Sequence, residues 1–217
     1  MAWRDALNMA RSPIATTRAG LLALLAVALP RLLPHVGDAF TVVLSMAVPT
    51  LLYLAAAQLL GGARSEAVEP RLARYFPHSP GVLGLLHGLV PLLVLDVLVC
   101  CFAAAMLVVG AETATAFGPL ALVPAAVAAA LVNLYRGTLP AHLWIGYDTP
   151  LGNSAVLQIV IWHTAGLFAL LVLAWPVVTA ALILLPLWMQ AVWLLVGSTL
   201  LACWGGWRAR NALAMER

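Results

Sequence analysis

The chain reads as an all-α, polytopic membrane protein: six transmembrane helices, both termini cytoplasmic, and an amphipathic elbow at the N-terminus. Three observations predict this. Of 217 residues, 64% are hydrophobic and only 9% are charged, against about 25% charged in a soluble domain. The apolar residues fall in runs of the length a bilayer requires, about 20 residues each. All eleven basic residues are arginines, and they collect on one side of the alternation that those runs create. A globular fold of this size has no means of hiding so much apolar surface from water. A soluble enzyme, a nucleic-acid-binding domain and a disordered chain are therefore excluded.

The first 18 residues carry Arg4, Asp5, Arg11 and Arg18 among Trp3, Leu7, Met9 and Ile14. They are too charged to span and read as an interfacial amphipathic segment. A cleaved leader fits less well, because Pro30-Arg31-Leu32-Leu33-Pro34 follows the apolar stretch where a small-residue cleavage site would stand. The transmembrane domain is expected over 19–204. Its first span runs from Ala19 to about Val36, its second over Ala39–Leu60, and Gly61-Gly62 ends the second. Gly81–Gly110 is the third and Ala116–Tyr135 the fourth. Ser154–Trp204 is too long for one helix, and Trp175-Pro176 divides it into two, because proline opposes helix continuation.

Arginine placement checks this count. With the N-terminus inside, the cytoplasmic segments are 1–18, the loops 61–80 and 136–153, and the tail 205–217. They hold every arginine except Arg31. An odd number of spans would strand Arg208 and Arg210 on the opposite side, against the positive-inside rule. The bias toward Arg, Ala, Leu and Val points to a bacterial chain and so to a cytoplasmic (inner) membrane.

Polar residues inside spans are costly, and they face protein or water rather than lipid. Asp96, flanked by Val94-Leu95 and Val97-Leu98, is the one acidic residue deep in a span. It reads either as a proton, cation or substrate contact or as a hydrogen-bonded bridge between helices. His87 and His163 lie in the third and fifth spans. Two such histidines can ligate a b-type haem, which defines an alternative reading: a haem-binding or accessory subunit of a respiratory or redox membrane complex. Hydrogen bonding between helices is the simpler role for both. Cys100, Cys101 and Cys203 form neither a disulfide framework nor a C-x-x-C pair. No clustered Cys/His set suits a metal. No phosphate loop, nucleophile elbow or H-E-x-x-H motif occurs, so no catalytic residue is assigned and the chain is not expected to be an enzyme. The tryptophans, mostly near span ends, fit an interfacial belt.

The polar stretch from Gly61 to Pro80 is the most informative segment. Pro70 suits a first helical turn with Glu69 at its start. Leu72, Tyr75 and Phe76 then share one face at spacings of three and four, with Arg71 and Arg74 on another. A short helix along the membrane face, presenting apolar knobs to a partner, has this pattern.

Together the charged elbow, the six spans and the element Glu69-x-x-Leu72-x-x-x-Phe76-Pro77-x-Ser79 resemble the membrane subunit of exporter-type ABC transporters. Leu85-Leu86-His87, an apolar start of span three with a polar residue, is similar to the same family. The resemblance implies that residues 65–79 form a coupling helix. Glu69, Arg71, Leu72, Arg74, Tyr75 and Phe76 would then contact a separate ATPase subunit. It further implies a second permease subunit, identical or not, with the translocation path between the two. ATP and magnesium would sit on the partner, and this chain would hold no cofactor of its own. No nucleic acid is expected among the partners.

Overall fold

In a computed structural model of the chain, the residues described are 2–32, 38–68, 78–137, 139–145, 147–149, 152–179 and 186–214. Helix α1 (Ala2–Arg11) is followed at Ser12 by a turn into α2 (Pro13–Leu32). Pro13 suits a first helical position because its missing N–H would be unpaired there anyway. The first long helix thus starts six residues before the expected Ala19, and Arg18 lies within it. Helix α3 spans Asp38–Leu59, α4 spans Gly61–Val68, and α5 runs from Pro80 to Val108. Inside these apolar helices the hydroxyls of Ser45 and Thr50 donate to carbonyls one turn back, at Thr41 (2.6 Å) and Met46 (2.9 Å). Each polar side chain is thereby satisfied within its own helix.

The fourth apolar run is not one uniform helix. It comprises α6 (Thr113–Phe117), a 3-10 turn over Gly118–Leu122, and α7 (Val123–Leu134). Gly118-Pro119 and Val123-Pro124 are the physical reason: each proline removes a backbone donor and restarts the helix at its own first turn. Then come α8 (Ala141–Ile145) and a two-residue hairpin pairing Asp148–Thr149 with Gly152–Asn153. Helices α9 (Ala155–Val178) and α10 (Leu187–Ala214) complete the described chain. The expected division of the last run occurs, but Pro176 sits within the final turn of α9 rather than ending it. Helix α10 continues past the expected boundary at Trp204, through Arg208 and Arg210.

Six of these stretches are long and apolar enough to cross a membrane: Pro13–Arg31, Thr41–Leu59, Pro80–Val108, Thr115–Leu134, Ala155–Val178 and Leu187–Ala212. The chain is therefore a multi-pass, helical membrane protein. Helix α7 is its hub, packing against α3, α5, α9 and α10. Its alanines at 125, 126, 128, 129 and 130 are all buried, and small side chains of this kind let helix backbones approach closely where no water drives association. The closest approach is at Gly166 of α9, where a Cβ would lie 2.1 Å from the Ala129 carbonyl oxygen.

Two ends of the bundle are defined by contacts. At one end Arg31 donates to the Val109 carbonyl, 2.8 Å away. At the other, α1 packs on α4 and α5, and a Cβ on Gly81 would meet the Gly206 carbonyl at 2.9 Å. The N-terminal helix, the segment after α3 and the end of α10 therefore share one end, as an even number of crossings requires.

Candidate functional site

Charge is buried where these segments meet. Helix α1 is inverted relative to a membrane-surface helix: Trp3 is 76% exposed, whereas Asp5 is only 4% exposed. Asp5 points at the start of α4, where Gly61 and Gly62 leave room for it. A Cβ on Gly62 would stand 2.2 Å from Asp5 Oδ1, and one on Gly61 would stand 3.0 Å from the Asn8 amide nitrogen. Glycine serves at both positions because the α1 side chains lie directly against the α4 backbone.

Helix α5 supplies the centre of the cluster. Its buried residues Leu83, Gly84, His87, Gly88, Pro91, Leu95, Val99 and Ala103 follow the 3.6-residue period and form one inward face. His87, 1% exposed, is on that face. Its Nδ1 lies 2.8 Å from Asp5 Oδ2 and its Nε2 lies 2.7 Å from Glu66 Oε2. Glu66 is fully buried, and its other oxygen accepts a hydrogen bond from Arg4 Nη2. Three segments, α1, α4 and α5, are thus tied by one chain of ion pairs, Arg4–Glu66–His87–Asp5. Buried charges persist only when paired in this way, because an unpaired one bears the full desolvation cost.

Two polar atoms at this place have no partner among the described residues: Asp5 Oδ1 and the Tyr135 hydroxyl, both buried. Tyr135, at the end of α7, is 2% exposed. Its ring lies against α5 because Gly84 has no side chain; a Cβ there would approach Tyr135 Cε2 to 3.2 Å. Burial pushes the Tyr135 phenol far above its ordinary range, the Asp5 carboxylate adds to the shift, and Arg4 partly offsets it. The phenol therefore keeps its proton at neutral pH.

A second polar junction is uncharged. Asn133 of α7 donates from Nδ2 to the Tyr53 hydroxyl of α3 (2.5 Å) and accepts at Oδ1 from the Gly166 backbone N–H of α9 (2.8 Å). Beside it, Arg208 donates to the Val132 carbonyl (3.0 Å), and its guanidinium carbon lies 5.2 Å from the Trp162 ring centre and 4.7 Å from that of Trp204.

Of the residues singled out by the sequence, His87 alone joins the cluster. Glu69, Arg71, Leu72, Arg74, Tyr75 and Phe76 lie outside the described residues. Asp96 is half-buried on α5 and has no hydrogen bond or ion pair among the described residues. His163 is exposed on α9, where its Nδ1 bonds to the Ile159 carbonyl of the same helix (2.8 Å). A haem held by His87 and His163 does not fit this arrangement. Both ring nitrogens of His87 are taken by carboxylates, and α7 packs against the helices that carry the two histidines. Among the described residues, no group of three or more Cys, His, Asp or Glu side chains is arranged to hold a metal ion.

Asp5 and Glu66 are the residues that sequence reasoning missed. Both stand in polar segments, and Glu66 falls within the 65–79 stretch expected to form the coupling helix. Its carboxylate instead faces inward. The Gly61-Gly62 pair was the available signal, since adjacent glycines at a helix start admit another backbone or side chain closely. Compared with protein-family models, with curated proteins and with solved structures, the chain matches none. The class rests on the fold: a multi-pass helical membrane protein with an ionic cluster at one end of its bundle.

Proposed function

We propose that the chain is the permease subunit of an ATP-driven, export-type transporter of the bacterial cytoplasmic membrane. It works with a separate ATPase subunit and a second permease, which is either a copy of itself or a related chain. In this reading the arginine-rich end of the bundle, with both termini, is cytoplasmic, α1 is the elbow, and ATP and magnesium belong to the partner. The observation that carries it is the Glu66–His87 bond. Residues 65–79 are the proposed coupling segment, and Glu66 near its start is bonded to the buried face of α5. A push delivered to that segment by the ATPase would reach α5 directly, as rigid-body switching of a transporter requires.

Co-purification tests the proposal. Extracted from native membranes in mild detergent, the full chain retains an ATPase subunit bearing a phosphate loop. Replacing Leu72, Tyr75 and Phe76 together with aspartate releases that subunit while the six-span fold is kept. Purification without any ATPase, or retention of it through the triple substitution, overturns the assignment.

A further inference from the structure

The ionic cluster contains more information than a static tie. An imidazole placed 2.8 Å from one carboxylate oxygen and 2.7 Å from another needs a proton in each gap, whichever heavy atom owns it. The two bonds together hold two protons. With both protons counted, the charges of Arg4, His87 and the two carboxyl groups sum to zero, whichever atoms own the protons. Removing one proton leaves a ring lone pair facing a carboxylate oxygen inside a buried site, and one bond turns into a repulsion.

The bond that fails is set by what else each carboxylate holds. Glu66 keeps Arg4, whereas Asp5 has no second partner for Oδ1. Asp5 is the weaker member. We propose that Arg4, Asp5, Glu66 and His87 form a proton-held latch, in which loss of one shared proton to water breaks the Asp5–His87 bond and loosens α1 from α5. The latch concerns these segments alone and does not rest on what crosses the membrane.

The other ionisable groups on elements packed against α5 leave this assignment intact. On α1, Arg11 is exposed. On α4, Arg64 donates to the Ala57 carbonyl. On α10, Arg208 is held on Val132 and two tryptophans, and Arg210 is exposed. On α2, Arg18 is exposed and Arg31 is at the opposite end. On α3, Asp38 begins the helix and Tyr53 bonds to Asn133. Helix α6 and the 3-10 turn carry no ionisable side chain, and α7 contributes only Tyr135 at its end.

Hydrogen exchange of the full chain in lipid nanodiscs, corrected for the intrinsic pH dependence of exchange, reads the latch. Between pH 5.5 and 8.5, protection of the α1 amides is expected to fall at least about tenfold, the factor that one unit of proton linkage gives. The amides of α7 keep theirs. Asp5→Asn locks the latch, because an asparagine amide donates to a neutral ring nitrogen and needs no second proton; its α1 protection becomes independent of pH. A wild-type α1 whose protection does not vary with pH overturns the proposal, as does an Asp5→Asn chain with the wild-type pH response. Should Asp5→Asn fail to fold, an unchanged pH response in His87→Gln has the same force.

Discussion

His87 and His163 occupy nearly equivalent places, seven and eight residues into α5 and α9, about 10–12 Å along each helix. Their surroundings are opposite. His87 is buried and spends both ring nitrogens on carboxylates from other segments. His163 is exposed and bonds to its own helix. The two helices themselves are buried to similar extents, 22% of the α5 span and 17% of the α9 span, and both pack against α7; the difference is that α1 and α4 also pack on α5. An intramembrane histidine that bonds to its own backbone satisfies itself and adds no tie to another helix. One that reaches carboxylates on other segments fixes their relative positions, and the folding of those segments becomes dependent on it.

The largest expected effect tests that dependence. Glu66→Ala removes the carboxylate from the fully buried Nε2 side of His87 and unties α4 from α5, which costs about 3–5 kcal/mol. His163→Ala removes a bond within one helix and leaves the unfolding midpoint where it was. Denaturant unfolding in mixed micelles measures both. Equal losses in the two variants would break the comparison. A loss in Glu66→Ala that His87→Gln largely reproduces would sharpen it.

Next in size is the packing of α7 against α9. A methyl group at Gly166 would lie 2.1 Å from the Ala129 carbonyl and 3.1 Å from the Asn133 side chain. Gly166→Ala must push the two helices apart, at a cost of about 1–3 kcal/mol. Gly20 of α2 has nothing within 4 Å of the place where a methyl group would stand, so Gly20→Ala stabilises by up to about 1 kcal/mol through helix propensity. Asn133→Ala, which removes the neutral bridge between Tyr53 and Gly166, falls between these, at about 0.6–1.7 kcal/mol for hydrogen bonds between membrane helices. Thermal unfolding of the three variants in one detergent ranks them. If Asn133→Ala exceeded Glu66→Ala, the neutral junction and not the ionic one would be the centre of the fold.

The physical basis of this contrast determines what the sequence made legible. The six apolar crossings, the division near Pro176 and the shared end of the bundle follow from run length, proline chemistry and arginine placement, all local or additive properties. The break at Gly118-Pro119 and Pro124 had the same local signal, and there hydropathy masked it. Asp5, Glu66 and His87 are different. They lie as far as 82 residues apart, and each reads alone as elbow, loop or span. Only the approach of α1 to Gly61-Gly62 turns three unrelated ionisable residues into one cluster, and a pairing of that kind has no periodicity to announce it. Asp96, by contrast, was conspicuous in sequence and acquires no partner among the described residues. Asp96→Asn is accordingly expected to leave insertion and the unfolding midpoint unchanged.

At neutral pH Tyr135 contributes little to stability, and its pH dependence is what makes it useful. Its hydroxyl has no hydrogen-bond partner among the described residues, so Tyr135→Phe removes a buried polar atom without stranding another and leaves stability at pH 7 almost unaltered. Burial, and then Asp5, raise its phenol above the ordinary value of 10.0. The sign follows from proton counting. Above pH 10 the unfolded chain releases this proton while the folded chain retains it, so the folded state loses stability as pH rises further. Below pH 10 both states are protonated and the full stability is present. Tyr135→Phe should therefore flatten the decline in stability between pH 10 and 11 and change nothing at pH 7. A decline equally steep in the variant would mean that the phenol already ionises in the folded protein, and its hydroxyl would then be wet rather than buried.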